Sequence, residues 1–303
     1  MSSAPDRVEI EKSYREIQSF ICEKIQSCDG KGTFIKDEWN RQGGGGGLTR
    51  VMSEGNVLEK AGVNFSAVEG EVTPMMAKSL KVDAKWFFAT GVSIVMHPRN
   101  PHVPIIHMNI RYFETDEGTY WFGGGIDLTP HYIVNEQASY FHQELKKVCD
   151  KYESSWYENF KKDADDYFFI PHRNETRGVG GIFYDHLSEH NSLPKQQIFD
   201  FSCDLGRAFP EIYSHLINLN RDKSFDEQQK EWQKLRRGRY VEFNLVYDRG
   251  TRFGLLSNGR TESILMSLPK EANWFYDFNP KEGSPEDFTL KNLKKGIDWI
   301  NVS

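Results

Sequence analysis

The amino-acid sequence predicts an α+β protein, with a large antiparallel β-sheet flanked by α-helices in a single domain. Strand-like runs follow one another in the middle of the chain, and helix-like patterns cluster on either side of them instead of alternating with them. The 303 residues, 38% of them hydrophobic, are enough for one large core. No internal repeat or linker divides the chain, so we expect one domain over residues 1–303, with about residues 1–6 as a flexible N-terminus.

The first elements are a helix and a glycine-rich segment. Apolar residues recur at helical spacing over residues 6–27: Ile10, Tyr14, Ile17, Ile21 and Ile25. QGGGGGL follows at 42–48, and we interpret it as a flexible loop. A phosphate-binding P-loop is excluded there because no Lys-Ser/Thr pair follows the glycines.

The middle of the chain is rich in strand patterns. Three strands are predicted at 86–96, 104–113 and 119–128, and Asp116-Glu117-Gly118 is a plausible three-residue hairpin loop between the last two. Helical patterns follow at about 135–162 and 196–218. Short turns between successive strands indicate antiparallel pairing.

The C-terminal third predicts two helices and a hairpin. Ser224 and Glu227 form a capping-box pair, which favours a helix over 225–237. Residues 240–256 are interpreted as a second hairpin with Asp-Arg-Gly at its tip. Ser284-Pro285-Glu286 is typical of a helix start, and apolar residues continue that helical pattern: Leu290, Leu293, Ile297 and Ile300.

Composition excludes several functional classes. A net charge of only −6 gives no indication of a nucleic-acid partner, and no apolar run approaches the ~18 residues of a membrane span. The cysteines form neither a CxxC motif nor a zinc-binding spacing: Cys22, Cys28, Cys149 and Cys203. The N-terminus has no apolar stretch of signal-peptide length and carries early acidic residues. We therefore expect a cytoplasmic protein.

One face of a predicted strand carries polar residues. In IIHMNIRYF, strand alternation places His107, Asn109 and Arg111 on one side and apolar residues on the other. A solvated polar face is one interpretation of this pattern. In the preceding strand, Ser93 and His97 share a face and are candidates for the border of the same patch.

The glycines of WFGGGIDLTP suggest a reason for that polar face. The predicted hairpin places His107 opposite Asp127, Asn109 opposite Gly125, and Arg111 opposite Gly123. Smooth backbone bordered by an acid, an imidazole and a guanidinium would receive a broad, flat ligand. A glycine-lined strand crossing or bulge is the alternative.

Two further groups of side chains are candidate binding sites. Arginines are dense in one segment, which suggests carboxylate binding or an interface, with solvated pairing to nearby acids as the alternative: Arg236, Arg237, Arg239, Arg249, Arg252 and Arg260. Four histidines form no HxxxH or HExxH motif, so nothing local indicates a metal: His97, His107, His142 and His172.

Long motifs of the chain carry a family resemblance. WFGGGIDLTP, DDYFFIPHR, RGVGGIFYD, RRGRYVEFNLVYDRGTRFGL and ESILMSLP closely resemble the oxygen-dependent coproporphyrinogen III oxidases of haem biosynthesis, and AGVNFSAVEG fits the same family. The resemblance runs from about residue 7 to 300. It implies oxidative decarboxylation of two propionates of coproporphyrinogen III to vinyl groups, giving protoporphyrinogen IX. Molecular oxygen would be the oxidant, with no other cofactor, and the protein would be a homodimer formed through about 42–51 and 240–275.

The resemblance also implies roles for individual residues. His107 matches the family's proton donor and Asp127 its essential aspartate. The implied substrate contacts are Ser93, Asn109, Ile110, Arg111, Asn258, Gly259 and Arg260. SNGR stands where some relatives carry a second glycine, and we expect the backbone contacts there to be retained. Bacterial relatives have been assigned a divalent metal at positions that match the four histidines named above, which keeps a metal as an alternative.

The chemistry suggests a mechanism for these residues. A pyrrole oxidised by oxygen accepts the electrons released with carbon dioxide, so the substrate supplies what a cofactor usually supplies. We hypothesise that ionised Asp127 accepts hydrogen bonds from the pyrrole N–H groups, that Arg111 clamps the reacting propionate, and that His107 passes protons. A porphyrin carrier without turnover and a metal-dependent oxygenase are the alternative functions.

Overall fold

A seven-stranded antiparallel sheet organises the computed structural model, which describes residues 4–256 and 259–302. The strands of the described chain are β1 Ile35–Asn40, β2 Gly45–Ser53, β3 Leu58–Glu71, β4 Trp86–Pro98, β5 Ile105–Thr115, β6 Tyr120–Thr129, β7 Phe169–Ile170, β8 Glu175–Thr176 and β9 Gly180–Leu187. The order across the large sheet is β1-β2-β3-β4-β5-β6-β9, while β7 and β8 pair only with each other. The predicted fold class is confirmed.

Helices cover both faces of the sheet. Those of the described chain are α1 Arg7–Asp29, α2 Pro74–Leu80, α3 Asn135–Asp150, α4 Trp156–Tyr167, α5 Lys195–Asn220, α6 Glu227–Val246, α7 Arg249–Leu256, α8 Thr261–Leu265 and α9 Pro285–Asn292. Within the described ranges, no helix is both long and apolar enough to cross a bilayer.

The main core lies between one sheet face and helices α1, α3, α4 and α5. Ile106, Met108 and Ile110 of β5 are fully buried there, because strand alternation sends them to the face opposite His107 and Arg111. The apolar stripe of α1 predicted from the sequence is buried against this face. One large apolar contact therefore fixes the position of the sheet. The other face carries the polar side chains between two smaller apolar clusters, one around Phe113 and Trp121 and one around Val95 and Ile105.

The predicted β5–β6 hairpin is confirmed in detail. Gly118 has a φ of +78°, and its N–H donates to the carbonyl of Thr115, as expected of a three-residue turn ending in the left-handed region. His107 pairs with Asp127, Asn109 with Gly125, and Arg111 with Gly123. The turn length sets this register, so every side chain of both strands falls on the predicted face.

The predicted second hairpin at 240–256 is wrong. Helix α6 continues to Val246, and α7 begins three residues later. The segment also fits a helix, because Tyr240, Phe243 and Tyr247 recur at intervals of three and four, whereas Leu245 and Val246 are exposed on the helix. Gly238 lies inside the helix and does not end it. Glycine is needed there because the backbone at Asn273 packs against the helix, and a Cβ would lie 2.6 Å from the carbonyl oxygen of Asn273.

The start of α6 also differs from the prediction. The capping box is formed by Asp226 and Gln229, not by Ser224 and Glu227, and the helix begins at Glu227 instead of residue 225. Both candidate pairs have the required three-residue spacing, so spacing alone could not choose between them.

The glycine-rich segment is only partly a loop. The turn is confined to Arg41–Gly44, and Gly45–Gly47 belong to β2, so the predicted flexible loop over 42–48 is wrong for its second half. Neighbouring backbone explains the missing side chains: a Cβ at Gly45 would lie 2.2 Å from the carbonyl oxygen of Ala67.

Two other helix boundaries need correction. The pattern at 135–162 is two helices, α3 and α4, separated by a turn at residues 151–155. The last helix starts at Pro285 with Ser284 as its N-cap, as predicted, but ends at Asn292 instead of continuing to Ile300. At the N-terminus, Asp6 caps α1, so the expected flexible segment does not extend to residue 6; residues 1–3 lie outside the described chain.

Candidate active site

A polar row crosses the sheet face opposite the main core. Direct cross-strand partners link one residue from each of the seven strands: Asp37, Thr49, Asn64, Ser93, Asn109, Gly125 and Phe183. Strands lie about 4.8 Å apart, so the stretch from Asp37 to Asn109 extends roughly 19 Å. We call these seven residues the polar row.

A second row on the same face has glycine at every other position. It contains Trp39, Gly47, Ser66, Gly91, Arg111 and Gly123. Three of its six members are glycine, so Arg111 stands between two bare stretches of backbone. We call these six residues the glycine row. Together the two rows form a broad, smooth floor with one guanidinium rising from it.

His107 and Asp127 lie beside the polar row, on the side away from the glycine row. The His107 Nδ1 is 2.9 Å from Asp127 Oδ1. The His107 side chain is 21% exposed and the Asp127 side chain only 1%. Because a carboxylate only accepts hydrogen bonds, Nδ1–H of His107 is the donor, and Nε2 is left as the acceptor nitrogen of the neutral ring. Asp127 thus fixes the tautomer that His107 presents.

Arg177 holds Asp127 from the other side and was missed by the sequence analysis. Its Nε and Nη2 donate to the two Asp127 oxygens at 3.1 and 2.6 Å, and its Nη1 donates to Asn244 Oδ1 at 2.7 Å. The guanidinium lies 4.5 Å from the ring centroid of Phe168 and 4.7 Å from those of Tyr240 and Phe243. This cation is buried, but each of its three nitrogens donates to an acceptor and three aromatic rings surround the guanidinium.

The electrostatics of the pair favour the charged form of both groups. Burial alone would raise the pKa of Asp127, but Arg177 and His107 outweigh it and lower that pKa below its usual value. Burial likewise opposes the charge on Arg177, and Asp127 outweighs it, raising the pKa of the guanidinium. Asp127 is therefore an ionised carboxylate whose oxygens are already bonded to protein groups.

Arg111 is the accessible cation of the floor. Its side chain is 38% exposed; Nη1 donates to Asn109 Oδ1 at 3.0 Å, and Nη2 lies 2.9 Å from Asp185 Oδ1. Asp185, two residues before the end of β9, was also missed. A second cation stands nearby: the guanidinium of Arg249 is 5.8 Å from the ring centroid of Phe183, the last residue of the polar row. Groups suited to carboxylates thus collect at this end of the floor.

The other predicted contact residues lie in different parts of the structure. Ser93 belongs to the polar row. Arg260 lies at the far end of that row, where its Nη2 donates to Asp37 Oδ2 at 2.6 Å. The Ile110 side chain is buried in the main core on the opposite face and does not reach the floor. Gly259 donates its N–H to the carbonyl of Gly254. Asn258 lies outside the described residues.

The four candidate metal-binding histidines have separate environments. His142 is buried between the Tyr157 hydroxyl and the Val179 carbonyl, at 3.0 and 2.9 Å. His172 contacts Tyr247 and Glu242, and buried His97 contacts the carbonyl of Ser267. No group of three or more His, Cys, Asp or Glu side chains in the described parts of the chain is arranged to hold a metal ion. The donor set expected for a metal is not brought together.

Most of the arginine cluster has structural partners. Arg236 pairs with Glu175 at 2.9 Å, and Arg237 forms a short ion pair with buried Glu59. Arg239 pairs with Glu242 at 3.1 Å. For these three residues the pairing with nearby acids is confirmed, but the expectation that the pairs are solvated is wrong, because all three side chains are buried.

Two grooves lie away from His107 and Arg111, each with a volume of about 360 Å³, and one of them reaches Trp39 and Gly47 at the far end of the glycine row. One runs between α1 and the β1–β2 hairpin, and the other lies beside Trp232 and Phe278. Neither is lined by His107, Arg111 or Asp127, and both have mixed polar and apolar walls without that set of groups. The chemistry of the side chains therefore favours the sheet floor as the site.

Comparison with known proteins points to one family. The family model described as coproporphyrinogen III oxidase matches residues 9–299. The chain is 46% identical to the oxygen-dependent coproporphyrinogen-III oxidase, chloroplastic, of Glycine max, over 99% of this chain and 81% of the relative. It is 45% identical to coproporphyrinogen-III oxidase 1, chloroplastic, of Arabidopsis thaliana, with the same coverage. It is 47% identical to the oxygen-dependent coproporphyrinogen-III oxidase of Drosophila melanogaster, over 94% of this chain and 76% of the relative.

Proposed function

The chain belongs to the coproporphyrinogen III oxidase family and catalyses the oxygen-dependent oxidative decarboxylation of coproporphyrinogen III in haem biosynthesis, and we propose that the reaction takes place on the floor formed by the polar and glycine rows. The observation that carries this assignment is that the sheet registers bring Ser93, Asn109 and Arg111 together on one smooth surface beside His107. A broad tetrapyrrole with four carboxylates fits a surface of that kind.

The reaction balances with oxygen as the only added oxidant. Each propionate side chain, together with one oxygen molecule and one proton, becomes a vinyl group, carbon dioxide and hydrogen peroxide. The bond between the carboxylate carbon and the rest of the side chain breaks. A hydrogen leaves the side-chain carbon attached to the pyrrole, and two electrons pass to oxygen. The electron-rich pyrrole gives two electrons to oxygen, and the oxidised pyrrole then accepts the electron pair released with carbon dioxide, so we propose that no cofactor besides molecular oxygen is required.

The charged groups of the floor suit the substrate's carboxylates. Arg111 is accessible and presents a planar fork that matches a carboxylate. Arg249 and Arg260 lie toward opposite ends of the polar row, near Phe183 and Asp37 respectively. We assign Arg111 to the reacting propionate because it is the guanidinium nearest to His107 along β5, four residues away on the same face.

His107 is the proposed proton donor, and Asp127 acts through it. Contact between Asp127 and the pyrrole N–H groups would require the carboxylate to leave both Arg177 and His107 and to emerge from a site where it is 1% exposed. Asp127 therefore has a positioning role in this proposal and does not contact the pyrrole N–H groups directly. Asp127 keeps Nδ1 of His107 protonated, so that Nε2 exchanges protons with the substrate.

An oxygen-uptake assay tests the proposed function. The protein is treated exhaustively with chelator and given coproporphyrinogen III in air, while oxygen consumption and protoporphyrin fluorescence are followed beside an anaerobic control. Oxygen-dependent product without added metal is the expected result. Tight substrate binding without oxygen uptake would favour the carrier, and product only after a metal is restored would favour the metal-dependent oxygenase.

The homodimer is a further part of the proposal. The segment 42–51 lies on the β1–β2 hairpin at the sheet edge, where β1 has a partner on one side. The segment 240–275 carries exposed apolar side chains: Leu245, Val246, Leu255, Leu256, Trp274 and Phe275. Exposed apolar patches favour association. Analytical ultracentrifugation should show a dimer that Leu256→Asp weakens, and a monomer at all concentrations would contradict this part of the proposal.

We also propose a cytoplasmic location. All four cysteines are unpaired, which suits a reducing compartment. The names of the two plant relatives specify the chloroplast, and that of the Drosophila relative gives no compartment. Fractionation of the source cells with an antibody against the chain tests this, and recovery in an organelle fraction would contradict it.

A further inference from the structure

Asp185 occupies the carboxylate-binding side of Arg111. Its Oδ1 lies 2.9 Å from Arg111 Nη2, and the two side chains are 25% and 38% exposed. The same oxygen accepts the N–H of His186 at 3.0 Å, which directs the carboxylate toward the floor. A carboxylate of the protein thus contacts the guanidinium to which we assign a carboxylate of the substrate.

The position of Gly123 shows that this contact lies on the floor itself. A Cβ added to Gly123 would be 2.7 Å from Asp185 Oδ1 and 2.9 Å from both Nε and Nη2 of Arg111. The ion pair therefore rests directly on the bare backbone of the glycine row. A propionate that reached Arg111 across this floor would approach the atoms that Asp185 contacts.

We propose that Asp185 is a positioning residue that holds Arg111 ready in the free enzyme and is displaced from it by the propionate of the substrate. The proposal deepens the proposed function and rests on it, because it assumes that Arg111 binds a substrate carboxylate. Asp185 acts as an internal competitor whose charge and geometry imitate those of the ligand.

The competition has a consequence for turnover. When carbon dioxide leaves, the propionate becomes a vinyl group and Arg111 loses its ligand. Asp185 then returns to Arg111, which favours departure of the processed ring. Removing the Asp185 charge should tighten substrate binding and slow product departure. Partly exposed ion pairs contribute modestly, so we expect the dissociation constant to fall about two- to fivefold.

Anaerobic titration with coproporphyrinogen III measures this binding without turnover. The proteins compared are the wild type, Asp185→Asn, Arg111→Gln and the double variant. Asp204→Asn is the matched control, because Asp204 is 31% exposed, close to the 25% of Asp185, and forms ion pairs, but on helix α5. Steady-state KM and kcat are measured in air for each protein, and thermal unfolding confirms folding. Asp185→Ser is the second variant if the asparagine variant does not fold.

We expect Asp185→Asn to bind the substrate more tightly and to have a lower KM. Both effects should disappear in the double variant with Arg111→Gln, and neither should occur in Asp204→Asn. The proposal is overturned if Asp185→Asn leaves binding unchanged or weakens it. It is also overturned if the tightening persists without Arg111, since that would reflect only the general loss of a negative charge. Failure of the underlying assignment is distinguishable, because Arg111→Gln alone would then bind and turn over like the wild type.

Discussion

Arg177 donates two hydrogen bonds to Asp127, at 2.6 and 3.1 Å, where the two side chains are only 2% and 1% exposed. The pair joins the segment before β9 to β6 and lies directly behind His107. Because both partners are charged and matched, the site contains a fixed carboxylate that solvent does not reach. The position and the tautomer of His107 are thus set by a buried group of the protein.

Arg177→Met should destabilise the fold. It leaves Asp127 buried and without its main partner, a change that typically costs about 3–5 kcal/mol of unfolding free energy. Adding Asp127→Asn should restore part of the loss, because no unpaired charge then remains. Chemical denaturation measures both variants, with Arg207→Met on the surface of α5 as a control expected to change stability by less than about 1 kcal/mol. A stable Arg177→Met protein would show that the pair contributes nothing.

Asp127→Asn should lower kcat by at least about 100-fold, with little change in KM. The amide keeps the shape of the side chain but not its charge, so it no longer holds a proton on Nδ1 of His107. Because Asp127 does not reach the floor, substrate binding should be almost unaffected. Oxygen uptake at saturating substrate measures kcat, normalised to folded protein. A strong rise in KM at normal kcat would mean that Asp127 contacts the substrate directly.

The sequence predicted the structure correctly where a single turn or the alternation of one strand determines it. The turn at Asp116-Glu117-Gly118 fixes the β5–β6 register, so the pairing of His107 with Asp127 could be predicted from the spacing alone. The face carrying Ser93 followed from strand alternation. In both cases the distance in sequence between interacting residues is short.

Arg177 and Asp185 could not be found in that way. Arg177 is fifty residues from Asp127, and nothing in RGVGGIFYD shows that β9 pairs with β6 instead of with another strand. The hairpin predicted for residues 240–256 was wrong for a different reason. Its apolar residues satisfy a period of two and a helical period equally well over a short window, and tertiary burial of Tyr240 and Phe243 decided for the helix.

Arg111→Lys should lower kcat/KM at least about tenfold, since an ammonium group cannot reproduce the two-pronged fork that a carboxylate accepts. The lysine should also lose the contact that Arg111 makes with Asn109 Oδ1. Initial rates over a range of substrate concentrations give the value, and Arg207→Lys on α5 is the matched control. A normal kcat/KM would contradict the assignment of Arg111 as the propionate clamp.

His142 should make stability depend on pH. Burial, only partly opposed by its hydrogen bond to Val179, lowers the pKa of His142 to about 4. The ordinary value is ~6.5, so the unfolded chain binds more protons between the two values. The stabilising contribution of neutral His142 is therefore complete above about pH 6.5 and is lost as the pH falls toward the folded value.

The test compares His142→Gln with the wild type. Between pH 7 and pH 5 the wild-type protein should lose about 2 kcal/mol more unfolding free energy than the variant, which has no imidazole to protonate at this site. Denaturant unfolding at the two pH values measures the difference, with exposed His190→Gln as the control. Equal losses in wild type and His142→Gln would show that His142 does not take up a proton on unfolding.

Gly123→Ala and Gly125→Ala should have different effects, although the two glycines share one face of β6. A Cβ at position 123 meets the ends of two flexible side chains, Arg111 and Asp185, which can swing away. A Cβ at position 125 would lie 2.8 Å from the carbonyl oxygen of Ile182, which is fixed by the pairing of β6 with β9. We expect Gly123→Ala to raise KM at nearly normal stability, and Gly125→Ala to cost about 1–3 kcal/mol of unfolding free energy.

Measuring both properties in both variants separates two reasons for the glycine run. If Gly123 is needed for function, its alanine variant should unfold at nearly the wild-type denaturant concentration while its KM rises, because the methyl group displaces the Arg111 fork from the floor. If both variants are destabilised equally and retain a normal KM, the glycines serve only strand packing, and the smooth floor is not a binding surface. The contrast between side-chain and backbone neighbours is what makes the two outcomes distinguishable.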